Sequence, residues 1–111
     1  MKLIIAIIPS HKLENVIHEL DLIQVYRKTV SNVLGPGKSH TEVYRGMLET
    51  GNLVKKVRFE IAISDGRVEE VIQAILKGAK NEEGDGKIFV VPLADCIQLG
   101  TQARGSEAIG Q

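Results

Sequence analysis

The sequence predicts a single α+β domain in which a four-stranded antiparallel sheet carries two helices on one face, and three observations predict it. From Val57 to Ile63 apolar residues alternate with mostly charged ones, which is strand periodicity. Two other stretches, Leu13-Val16-Ile17-Leu20 and Val68-Val71-Ile72-Ile75, repeat at helical spacing instead. The remaining apolar segments, residues 2–9, 25–34 and 87–93, are short, rich in β-branched residues and ended by Gly or Pro, so they read as strands. The resulting order, strand-helix-strand-strand-helix-strand, is the ferredoxin-like βαββαβ pattern.

Lys2 to Pro9 is apolar on both faces, as in a strand covered on two sides, and is too short for a membrane span or a signal-peptide core. Ser10 stands where it can cap the first helix, whose polar face carries Glu14, Glu19 and Asp21. Val25 to Leu34 returns to strand chemistry and is expected to stop pairing at Gly35-Pro36-Gly37. In the third strand Val57, Phe59, Ile61 and Ile63 face one side, while Lys56, Arg58, Glu60 and Ala62 face the other. Asp65 can cap the second helix, Glu69 and Glu70 suit its N-terminal dipole, and Lys77-Gly78 with Lys80 reads as its end. Lys87 to Leu93 is the last main strand, Cys96 to Leu99 a candidate edge strand, and about 101–111 a flexible tail. The helices leave one sheet face bare. Because the first strand is apolar on both sides, that face is expected to pack on other copies of the chain.

With 111 residues there is room for one core, and 43% apolar against 25% charged residues is ordinary globular composition. Fourteen Lys+Arg balance 14 Asp+Glu, so no broad cationic field exists to grip nucleic acid. Cys96 is the one cysteine, which excludes a disulfide framework or thiolate metal site and points to the cytoplasm. His11, His18 and His40 are scattered and read as surface residues; no acid, base or nucleophile pair stands out, so an enzyme is not expected.

The connection from Gly35 to Lys55 is about twenty residues long, where a hairpin in a compact domain uses ~2–5. A segment of this kind, about 36–55, is expected to be a mobile binding loop. Two glycine turns flank strands: Gly35-Pro36-Gly37-Lys38-Ser39 and Gly84-Asp85-Gly86-Lys87. Each lets backbone N–H groups turn toward an anion beside a lysine, although each alone also satisfies ordinary turn chemistry. A Walker A loop is rejected, because Asn32 stands where its first glycine belongs and no helix follows Ser39.

Taken together, the Lys2-Leu3-Ile4-Ile5-Ala6-Ile7-Ile8 start, Lys12-Leu13, Thr29-Val30, His40-Thr41-Glu42-Val43-Tyr44-Arg45-Gly46 and Gly84-Asp85-Gly86-Lys87-Ile88-Phe89-Val90 resemble the PII family of nitrogen-regulatory signal proteins over nearly the whole chain. The resemblance implies a homotrimer with inward-facing sheets, adenine-nucleotide sites between subunits, and a long T-loop that docks on a transporter or enzyme. It places Ile7, Thr29, Glu60 and Ala62 around the adenosine and Gly35, Pro36, Gly37, Lys38 and Ser39 along the phosphates, with Gly84, Asp85, Gly86 and Lys87 arriving from the facing subunit. Lys56 matches a lysine that reaches the γ-phosphate or 2-oxoglutarate. The chain also departs from the family. It is two residues shorter after Gly37, which removes a glutamine that helps hold magnesium and 2-oxoglutarate, so the co-effector stays open between 2-oxoglutarate, bicarbonate and neither. Gln98 and Gly100 stand where the family has two phosphate-binding arginines, and ADP or AMP is therefore expected to compete well with ATP. Glu49 replaces the tyrosine that some members have uridylylated, and the altered tip, Met47 to Asn52, implies a different partner. The other readings are a bicarbonate-responsive sensor linked to inorganic-carbon uptake or carboxysomes, a metal-efflux-associated role, a small enzyme on the same frame, and a ligand-free interaction module.

Overall fold

In the computed structural model, which describes residues 1–37 and 53–110, the chain runs β1 (Lys2–Pro9), α1 (Leu13–Leu22), β2 (Thr29–Pro36), β3 (Leu53–Ile63), α2 (Val68–Ala79), β4 (Lys87–Pro92) and a short α3 (Ser106–Ile109). The sheet order is β2-β3-β1-β4 and every pair is antiparallel, the ferredoxin-like arrangement that the order of patterns predicts. Register sorts the side chains. Ile4, Ala6 and Ile8 lie opposite Ile61, Phe59 and Val57 on the helix face, whereas Ile5 and Ile7 lie opposite Glu60 and Arg58 on the other.

The core forms between that first set and the helices: Phe59, Ile4 and Ile61 are fully buried with Val16 and Leu20 of α1 and Val71 and Ile75 of α2. Each large side chain so buried contributes roughly 1.5–3 kcal/mol. The helices also pack on each other. Gly78 permits this, because a Cβ there would stand 2.7 Å from the Cα of Val16. α2 ends at Ala79 with Lys80 as its C-cap, where Lys77-Gly78 and Lys80 read as its end, and Gly78 in that last turn is also the point of contact with α1.

Both expected caps are corrected. Ser10 opens a 3-10 turn, Ser10–Lys12, without a capping bond from its hydroxyl. Asp65 likewise opens a turn ahead of α2, and its carboxylate accepts hydrogen bonds from Lys2 Nζ at 2.8 Å and the Met1 ammonium at 2.9 Å instead. The bond from Lys2, then that from the terminal ammonium, hold Asp65 down at about 2. Since the folded value lies below the ordinary 3.8, this contact stabilises the fold above about pH 4 and is lost as pH falls toward 2. The Tm difference between wild type and Asp65→Asn should therefore be present at pH 6 and mostly gone by pH 2; a difference independent of pH would contradict the assignment.

The second strand begins at Thr29, not at Val25. After α1 the chain turns through Gln24 in the left-handed region (φ 63°), and Val25 then drops into the core, 4% exposed. Lys28 holds the turn by donating to Asp21 Oδ1 at 3.1 Å and to the Val25 carbonyl at 2.9 Å. Arg67 Nη2 donates to the Ile23 carbonyl at 2.6 Å, tying the end of α1 to the start of α2. At its far end β2 stops within Gly35-Pro36-Gly37, as expected: Gly35 and Pro36 still pair with Val54 and Leu53, and Gly37 does not. Proline is tolerated there because β2 is an edge strand and Pro36 ends it.

β4 ends at Pro92, one residue before the expected Leu93. Cys96 to Leu99 forms no strand of the sheet; a lone bridge joins Ile97 to Arg104, and Arg104 donates to Asp95 Oδ2 at 2.6 and 3.0 Å. These bonds lower the Asp95 carboxyl below its usual range, with help from the Cys96 N–H. The chain then folds back as α3, an element the sequence reading did not contain, and buries Ala108 and Ile109. The sheet face away from α1 and α2 leaves Phe89 47% and Val91 40% exposed, opposite Ile5 and Leu3. Among the described residues, no helix is long and apolar enough to cross a membrane.

Candidate functional site

Two clefts lie along the open face of the sheet, at opposite ends of β3. The first, of about 350 Å³, is lined by Ile7, Pro36, Lys56, Phe89 and the turn Gly84-Asp85-Gly86-Lys87. That turn needs its glycines: Gly84 and Gly86 have φ of 67° and 108°, and a Cβ on Gly86 would stand 2.7 Å from the Ile7 carbonyl oxygen. Asn81 fixes it in place, accepting from the Asp85 N–H at 2.9 Å and donating to the Asp85 carbonyl at 3.0 Å. Lys56 enters from β3 and is only 3% exposed, its ammonium paired with Asp85 and its stem lying against Gly35, where a Cβ would come within 3.0 Å of Lys56 Cγ. Gly37 borders an adjoining hollow with Ser10, Lys55 and Lys56.

The second cleft, of about 450 Å³, brings Thr29, Glu60 and Ala62 together with Leu3, Arg27, Lys28, Cys96, Gln98, Ala108 and Ile109. Thr29 stands opposite Glu60 in the β2–β3 register, and Arg58 holds the Glu60 carboxylate at 2.8 and 2.9 Å. One wall is the C-terminal hairpin and α3. Sequence reasoning named neither Cys96 nor Ala108 and Ile109 for this site, because Ser106–Ile109 is one turn long and offers no period to detect.

Within one chain, Ile7 shares the first cleft with Pro36, Lys56 and the turn Gly84-Asp85-Gly86-Lys87, while Thr29, Glu60 and Ala62 share the second. Lys38 and Ser39 lie outside the described residues, as does most of the expected T-loop, including His40, Tyr44, Glu49 and the tip from Met47 to Asn52. His11 and His18 are exposed, and among the described residues no group of His, Cys, Asp and Glu side chains is arranged to hold a metal ion.

What these clefts can do follows from their linings. The first offers amide-rich glycine backbone, an exposed lysine and a buried one, the equipment for an anion such as a phosphate. The second offers a mixed apolar and polar wall of the kind that receives a heterocycle and its hydroxyls.

Comparison with known proteins agrees with the fold. Residues 1–103 match the family described as nitrogen regulatory protein P-II. The nitrogen regulatory protein GlnK1 of Methanosarcina mazei is 45% identical over 114 residues, covering 98% of this chain and 97% of its own length. GlnK of Escherichia coli K12 is 41% identical over 104 residues, covering 91% and 93%. The crystal structure of Arabidopsis thaliana PII bound to citrate superposes with a TM-score of 0.80 at 33% identity, covering 99% of this chain and 90% of that one. The chain belongs to the P-II nitrogen regulatory family and is a non-enzymatic signalling regulator.

Proposed function

We propose that the protein is a homotrimer that binds an adenine nucleotide between subunits and acts on a partner protein through the segment between β2 and β3. The observation that carries this reading is the placement of the two clefts. Lys56 of the first cleft and Glu60 and Ala62 of the second lie four to six residues apart on β3, about 13–20 Å at ~3.3 Å per residue, so one chain sets its anion and nucleoside linings side by side along one sheet face. A neighbouring copy packed on the open apolar face can set its nucleoside cleft against this chain's anion cleft, joining the two into one site.

Charge favours the shorter nucleotides. Gln98 lines the second cleft without a charge, Gly100 adds none, and Lys56 is already neutralised by Asp85. Among the described residues, the first cleft leaves Lys87 without such a partner but not Lys56, so ADP and AMP compete well with a triphosphate.

Light scattering should give a mass three times 12.1 kDa. ADP and AMP should each raise Tm at least as much as ATP; a ligand at 100 times its Kd adds about 2.7 kcal/mol to stability. A monomer at all concentrations, with no shift from any adenine nucleotide, would dismiss the proposal.

A further inference from the structure

Lys56 is a buried cation that already has its anion. Its ammonium meets the carboxylate of Asp85, and the placement of both partners is imposed from outside the pair. The lysine stem is pressed by Gly35, while the aspartate backbone is clamped on both sides by Asn81, which donates onward to the Ala79 carbonyl at 2.8 Å. Gly86 passes too close to the Ile7 carbonyl for the turn to slide. The Asp85 side chain alone has somewhere to go, being 23% exposed. Within the same cleft, the glycine backbone and exposed Lys87 form the mouth and Lys56 the floor.

We propose that Asp85 is a built-in competitor that sets the length of phosphate chain the site accepts. An anion bound at the mouth leaves the Asp85–Lys56 pair intact. A longer chain that reaches the floor gains Lys56 only by turning the Asp85 carboxylate out into solvent, and it meets that carboxylate's charge on the way. Asp85 is thus a specificity residue that selects against the terminal phosphate of a triphosphate. This inference rests on the nucleotide reading above and extends it to the choice among AMP, ADP and ATP.

Calorimetry on wild type and Asp85→Asn with AMP, ADP, ATP and inorganic tripolyphosphate tests it. The substitution should raise affinity for ATP and tripolyphosphate about tenfold relative to AMP, the scale of one hydrogen bond to a charged group. An unchanged or reduced ATP-to-AMP ratio overturns the proposal. If neither protein binds any adenine nucleotide, the nucleotide reading fails by itself, and tripolyphosphate still decides: no gain in the variant removes the competitor role. Should the variant not fold, wild-type protein with 15N-labelled lysine gives the same decision. ATP, or tripolyphosphate where ATP does not bind, must shift the Lys56 Nζ resonance and AMP must not; a bound polyphosphate that leaves it unmoved overturns the idea.

Discussion

Gly78→Val should destabilise the protein by ~3 kcal/mol or more, read as a fall in the urea midpoint. The new side chain would begin 2.7 Å from Val16 Cα and 2.8 Å from the Asn15 carbonyl oxygen, both backbone atoms that cannot rotate away. α1 and α2 must therefore separate, exposing Val16, Leu20, Val71 and Ile75 together. Against a total of ~5–15 kcal/mol for a domain, that is a large share. Gly78→Ala sharpens the test, since helix propensity alone would stabilise by about 1 kcal/mol. Contact should reverse that sign, and a more stable Ala variant would show that the helices do not need the close approach.

Gly86→Ala should remove the Tm rise produced by ADP while leaving most of the protein folded. Two penalties act at one atom: φ of 108° is a conformation that L-residues rarely adopt, and the added carbon would lie 2.7 Å from the Ile7 carbonyl oxygen. Strain of this kind costs about 1–3 kcal/mol and is relieved only by moving the turn off β1. Its N–H groups, Asp85 and Lys87 would move with it. Gly84→Ala is the control, because its φ is also positive but nothing lies within 4 Å of the new carbon. A folded Gly86→Ala protein with an undiminished ADP response would separate this turn from nucleotide binding.

The features legible in the sequence are those set by local periodicity. Val57, Phe59, Ile61 and Ile63 are buried as their alternation requires, and Val71 and Ile75 lie on the inner face of their helix. Misread features depend on what approaches from elsewhere. Val25, apolar and β-branched, reads as a strand residue, but a turn delivers it to the core. Asp65 looks like a cap until Lys2, distant in sequence, claims its carboxylate. The same holds for the site. The turn Gly84-Asp85-Gly86-Lys87 was visible, whereas the pairing of Lys56 with Asp85, 29 positions apart, leaves no local trace. The division into two clefts depends on strand register, which no single segment encodes.

The pairing of β2 with β3 out to Pro36 and Leu53 has a mechanical consequence. The intervening stretch leaves and rejoins the sheet at one point on its rim, so a pull on either end is borne by the last rung of a ladder. The rungs below it join Gly35 to Val54, Leu34 to Lys55 and Val33 to Lys56. Unzipping three rungs would thus bring the opening to the strand position that carries the buried ammonium.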